Sequence, residues 1–169
     1  LVHHVDGQAR AHMTELYKGL LRPDMAVLDL MSSWRSHLPD SVPLSSVVGL
    51  GLNDREMAEN QDLTGHVVHD LNDEPKLPFE DGGFDAVLCS VSVEYLTQPF
   101  DVFREVARVL KPGGVFVNTF SNRWFPPKAI ALWSELTDFE RMGLVGEYFM
   151  ESGRYGNLNT FSTRGWPRP

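Results

Sequence analysis

The chain has 169 residues, 42% of them apolar, with a formal net charge of −8. That length and composition suit one globular domain, here taken as residues 1–169, with enough apolar surface to cover a sheet on both faces. They exclude a helical membrane protein, since no apolar run approaches the roughly 20 residues that span a bilayer, and the scattered Lys and Arg form no basic patch that would make nucleic acid an expected partner.

The start, Leu1-Val2-His3-His4, has no initiator Met and no signal-peptide pattern, and it reads as a cut from a longer chain. Ala9, Met13, Leu16, Tyr17, Leu20 and Leu21 recur at helical spacing over residues 6–21, with Asp6 as N-cap. Met25 to Leu30 is a short apolar run of the buried-strand kind. Residues 31–45 carry Pro39 and Pro43, which leave room for at most a turn or two of helix after Ser33. Ser46 to Leu50 is a second strand, and Asn53 with Glu56 forms a capping pair for a short helix. His66 to Asp70 is a third strand, followed by a polar loop with Pro75, Pro78 and Gly82-Gly83.

Phe84 to Ser90 is the fourth strand. It holds the only cysteine, Cys89, which is read as a buried strand thiol. A lone thiol suits a reducing compartment, so a cytoplasmic location is expected. Pro99 opens a helix with Phe103, Val106, Ala107 and Leu110 on one face, and Lys111-Pro112-Gly113-Gly114 stops it. Val115 to Phe120 is the fifth strand. Pro126-Pro127 starts another helix with Ile130, Trp133, Leu136 and Phe139 as its buried stripe. The runs 144–150 and 157–163, with Gly153, Gly156 and Asn157 between them, predict an antiparallel strand pair. Strands alternating with helices make an α/β fold with a mainly parallel sheet the economical reading.

In such a sheet, ligands bind outside the carboxyl ends of the strands, where the strand order reverses. The segments to inspect are therefore Asp29 to Trp34, Gly51-Leu52-Asn53, Asp70-Leu71-Asn72, and Ser90 to Leu96. Each has a plain alternative: Asp29 would only tie down a loop, and Asp70-Leu71-Asn72 would only form an Asx turn. Their shared placement at one sheet edge favours a site. His66 and His69 are three apart, so on a strand they point to opposite faces, and no metal site is expected. Trp34, Trp124, Trp133 and Trp166 read as packing or surface cover, although Trp124 and Phe125 follow strand five and would wall a pocket there.

Val27-Leu28-Asp29-Leu30, Val47-Val48-Gly49-Leu50, Asp70 with Leu77-Pro78-Phe79, Phe84-Asp85-Ala86-Val87, and Leu110-Lys111-Pro112-Gly113-Gly114 together resemble the motifs of class I S-adenosylmethionine-dependent methyltransferases, of the type 11 subgroup. The resemblance covers roughly residues 10–165. It implies a Rossmann-like, doubly wound, seven-stranded sheet with an antiparallel C-terminal strand. It implies S-adenosylmethionine as cofactor and a small-molecule methyl acceptor as partner.

Carried over by position, Asp29, Met31, Ser32, Ser33 and Trp34 would face the methionine part of the cofactor. Gly51, Leu52 and Asn53 would meet the ribose, Asp70 and Leu71 would flank the adenine, and Ser90 and Val91 would line the floor near the methyl group. Glu94 and Tyr95 are the candidate catalytic residues, with His3 and His4 as further candidate bases.

Two departures from the family pattern fall on the same ligand. The glycine-rich turn after Asp29 is here Met31-Ser32-Ser33, and Gly51 stands where the family has an acid for the ribose hydroxyls. The expected function is methyl transfer to a small molecule through unusual cofactor contacts. The alternative is an inactive methyltransferase-fold domain that serves as a binding module. A nicotinamide-binding enzyme fits least, because there is no Gly-x-Gly-x-x-Gly and no clear acid after strand two.

Overall fold

The computed structural model describes residues 5–163. His3, His4 and Trp166, named above, lie outside them.

Helix α1 (Gly7–Leu20) begins as its pattern predicts, with the Asp6 carboxylate accepting from the Ala9 N–H. The sheet comprises β1 (Ala26–Leu30), β2 (Ser46–Gly51), β3 (Gly65–Val68), β4 (Phe84–Ser90) and β5 (Leu110–Thr119). Its order is β3-β2-β1-β4-β5, and every neighbouring pair is parallel. β1 lies at the centre, so the strand order reverses between β1 and β4. The carboxyl ends of those two strands frame the crevice where such folds hold ligands.

The central strands are continuous apolar runs because both of their faces are covered. Leu28, Leu30, Val87, Cys89 and Phe116 point into one core layer, and Val27, Ala86, Leu88 and Val117 point into the other with Met13 and Tyr17 of α1. Two more helices, α2 (Asp54–Ala58) and α3 (Pro99–Val109), follow β2 and β4. Asp85 of β4 ties together its two neighbouring strands near their amino ends. Its carboxylate accepts from the Ala26 N–H at 2.8 Å and pairs with Lys111 at 3.2 Å.

The C-terminal third departs from expectation. The predicted helix with the stripe Ile130, Trp133, Leu136 and Phe139 is broken into α4 (Ala131–Glu135) and α5 (Asp138–Ser152). A capping box restarts the chain: the Thr137 hydroxyl accepts from the Glu140 N–H, and the Glu140 carboxylate accepts from the Thr137 N–H. The restart changes the phase, so Trp133 is fully buried while Phe139 is 79% exposed.

The predicted strand at 144–150 is the second half of α5. Val145, Tyr148, Phe149 and Ser152 are buried at helical spacing, and Phe149 packs on Phe103 of α3 with ring centroids 4.8 Å apart. The run 157–163 is not a strand either. Among the described residues the sheet therefore has five strands, all parallel, and the expected antiparallel C-terminal strand is absent. The Lys111-Pro112-Gly113-Gly114 turn is drawn into β5 as an irregular stretch, with Phe84 opposite Leu110 but Ala86 opposite Val115.

Candidate functional site at the carboxyl edge of the sheet

The chain leaves β1 through Met31, which takes the left-handed conformation (φ 57°) that the family's glycine would supply. It does not turn into a helix. Residues 32–45 form no helix at all. The Ser32 N–H donates to the Leu50 carbonyl at 2.8 Å, so the loop stays against β2 for one residue more.

Asp29 is buried and anchors this loop. Its Oδ2 accepts from the Ser32 and Ser36 hydroxyls, both at 2.6 Å. Burial pushes its carboxyl up to about 6, while the two serine hydroxyls pull it back. Asn60, just after α2, donates to the Ser33 carbonyl and to Ser36 Oγ, both at 2.9 Å. The Ser33 hydroxyl donates to Glu56 at 2.7 Å, and the Ser36 N–H to Asp62 at 3.3 Å. The Thr14 hydroxyl of α1 donates to the His37 carbonyl at 2.9 Å. Glu56 is thus only half of the expected capping pair: Asn53 accepts from its N–H, but its carboxylate faces Ser33.

A cavity of about 70 Å³ remains at the edge. Asp29, Met31, Ser32, Ser33, Trp34, Ser90 and Val91 line it together, so seven residues expected from different segments do converge. Val5, Arg10, Arg35, His37 and Ser92 complete the wall. Val91, a β-branched residue, has φ 53°, a strained conformation of the sort that concentrates at working sites. Ser90 is fixed by a 2.6 Å hydrogen bond with the buried Tyr17 hydroxyl.

The other expected residues stand apart from this cavity. Gly51 ends β2 beneath the loop, where a Cβ would lie 2.4 Å from the Ser32 carbonyl oxygen. Leu52 is exposed and Asn53 caps α2. Asp70 makes an Asx turn, its Oδ1 accepting from the Asn72 N–H, and Leu71 is buried in the core. His66 pairs with Asp54 and His69 with the Glu74 carbonyl, so the two histidines go separate ways.

A second feature lies just past β4. Glu94 sits in a single 3₁₀ turn (Val93–Tyr95), is fully buried, and neither carboxyl oxygen has a hydrogen-bond partner. Burial pushes its carboxyl up to about 7, and its own backbone N–H and then the Arg141 charge pull it partly back. The Arg141 guanidinium lies 4.0 Å from the Trp124 ring centre and donates to the Trp133 carbonyl. The indole N–H groups of Trp124 and Trp133 and the side-chain amide of Asn118 are also buried without partners. Asn118 is opposite Cys89 in the sheet, and the Cys89 thiol is raised by burial and by the charges of both Glu94 and Asp29. Asp29 stands opposite Leu88 in the sheet, and Glu94 follows β4 in the chain.

Tyr95 has a different task, since its hydroxyl accepts from the Phe125 N–H at 3.1 Å. An apolar groove of about 630 Å³ opens beyond the 3₁₀ turn, lined from Leu96 onward and not by Glu94 itself. Leu96, Phe100, Ile130, Leu132 and Tyr148 line it, and the Ile130 N–H donates to the Glu94 carbonyl.

Ser36, Asn60, Asn118 and Arg141 were not legible as site residues. Asn60 is 24 residues from Ser36, and nothing local marks such a pairing.

A parallel sheet with its crevice at the β1/β4 switch, lined by the residues after those strands, defines a Rossmann-like α/β domain. The chain belongs to the methyltransferase domain family, whose profile matches residues 34–118. The match begins directly after Met31-Ser32-Ser33.

The chain is 30% identical over 141 residues to the ubiquinone/menaquinone biosynthesis C-methyltransferase UbiE of Laribacter hongkongensis, covering 75% of this chain and 54% of that protein. It is 33% identical over 115 residues to a ubiquinone biosynthesis O-methyltransferase of Xanthomonas oryzae pv. oryzae, covering 68% and 43% respectively. The chain thus spans about half the length of these relatives. The [4+2]-cyclase SpnF shares the fold, with a TM-score of 0.65 at 22% identity over 90% of this chain and 63% of that one.

The family implies S-adenosylmethionine. As residues 31–37 stand, the site does not fit it. The cavity of about 70 Å³ is well below the roughly 300–1,000 Å³ of small-molecule sites. No carboxylate for a ribose can stand at position 51 while Ser32 occupies that space, and Asn53 is committed to its cap.

Proposed function

We propose that this domain transfers a methyl group to a small molecule with an apolar body, with Glu94 taking the proton that the acceptor releases. The observation that carries this reading is the Glu94 carboxyl, buried without a hydrogen-bond partner from another residue just past the end of β4, two residues before the groove-lining Leu96 and bonded through its backbone carbonyl to Ile130 of the groove. A buried acid without a partner is costly and calls for an explanation in use. A base whose carboxyl titrates near 7 matches the pH at which proton transfer is most efficient. The groove of about 630 Å³ has the size and lining of a small-molecule pocket. Two relatives are named for quinone biosynthesis, which agrees with an apolar acceptor.

The test is a methyl-transfer assay with S-adenosylmethionine across a panel of prenylated hydroquinones, fatty acids and sterols, read by product mass. Transfer to at least one member is expected, and Glu94→Gln should slow it by about 10²–10⁴-fold. No transfer to any acceptor, together with no heat on titrating S-adenosylhomocysteine, would sink the enzyme reading.

The closed loop at Ser32 favours a second reading, a methyltransferase-fold domain that binds without transferring. Binding of S-adenosylhomocysteine with no turnover is its signature.

A further inference from the structure

We propose that Met31–His37 is a latched plug: a segment of this chain that fills the donor site, is held shut by a polar network centred on Asp29, and must lift off β2 before a donor can enter. The identity of the probe below rests on the methyltransferase reading; the latch does not.

Three independent features support the plug. The first is position. The Ser32 N–H extends the pairing with β2 by bonding to Leu50, and the Ser32 carbonyl oxygen lies over Gly51, so the loop backbone occupies the space above the second strand's end. Glycine is required at 51 because any Cβ would meet that oxygen at 2.4 Å. Gly51 and the altered turn are therefore one feature.

The second is satisfaction. A loop waiting for a ligand leaves polar groups open, but here the loop's groups satisfy one another. Ser32 and Ser36 both serve Asp29, and Asn60 serves Ser33 and Ser36. Ser32, Ser36 and Asn60 are all buried. Hydrogen bonds to an ionised or low-dielectric carboxylate are the strong ones, so Asp29 acts as the catch.

The third is reach. The network ties the segment to α2 through Glu56 and to α1 through Thr14. Lifting it breaks contacts to three elements at once, which makes a two-position device more natural than gradual loosening.

The experiment uses the full chain and two variants. Asn60→Ala removes two of the latch bonds. Gly51→Ala forces the Ser32 carbonyl away from β2. Amide exchange at residues 32–37 is followed by NMR, and S-adenosylhomocysteine affinity by calorimetry. Faster exchange in both variants is expected, with affinity raised about tenfold as the competent fraction grows. Ligand binding to the unaltered protein should expose the Ser32 amide.

Unchanged exchange at 32–37 in both variants overturns the latch. Ligand bound to the unaltered protein with Ser32 still protected overturns the plug and leaves the methyltransferase reading intact. So does affinity unchanged in a variant whose loop has loosened. Faster exchange in both variants with no binding in any form supports the latch and sinks the methyltransferase reading.

Discussion

Glu94 sets the clearest expectation at the scale of one residue. Its carboxyl is raised from 4.5 to about 7 in the folded protein, chiefly by burial. The folded state therefore holds the proton more tightly than the unfolded state, and stability falls as pH rises from about 4.5 to 7. That rise corresponds to about 3 kcal/mol of cost at pH 8. Glu94→Gln removes that cost. Its melting temperature should exceed that of the unaltered protein by roughly 6–12 °C at pH 8 and by nothing at pH 4. A variant less stable at pH 8 would show that the carboxylate is paired. The same variant is expected to lose turnover, so a gain in stability with a loss of activity separates function from folding. Such opposition is common where a site is kept strained for use.

At the scale of elements, α1 is a clamp on the site. Tyr17 is fully buried, and its hydroxyl lies 2.6 Å from Ser90 Oγ and 3.4 Å from Thr119 Oγ1, at the carboxyl ends of β4 and β5. Tyr17→Phe leaves those hydroxyls without their partner and should cost about 1–2 kcal/mol, read from the urea midpoint. Amide exchange in α1 should quicken with it. An unchanged midpoint would mean that apolar packing alone seats the helix.

The elements also show what a sequence can and cannot say. β1 and β4 were legible because an apolar run of five to seven residues, bounded by turn residues, fits little else than a strand buried on both faces. The run Leu144 to Met150 was not, because it satisfies the period of a strand and of a helix alike. Packing of Tyr148 and Phe149 on Phe103 decided in favour of the helix. The convergence of Asp29, Met31–Trp34, Ser90 and Val91 followed from the rule that ligands lie beyond strand ends. The latch did not, since its bonds join Ser33 and Ser36 to side chains 23 to 27 residues away, and no local pattern encodes them.

At the scale of the whole molecule, the methyltransferase family's sheet has kept its crevice while the chain has closed it with its own serines. Asp29 adds to the acid dependence. Raised from 3.8 to about 6 by burial, it also favours the folded state at low pH and loses that advantage as pH rises through 6. Asp85 and Glu105 are held low and stabilise the fold at their full value above pH 5, so with Glu94 shifted the same way as Asp29 stability should decline between pH 5 and 7.5 in a thermal melt series. A rise over that range would contradict both assignments.

Two acids held out of water near one sheet edge are costly, and in the proposed scheme each has a use, Asp29 as the catch and Glu94 as the base. The most direct test of this account is a crystal structure with S-adenosylhomocysteine. The account predicts ligand across the ends of β1 and β2, with the Ser32–Leu50 bond broken and residues 31–37 displaced. Ligand seated there with that bond intact would contradict it.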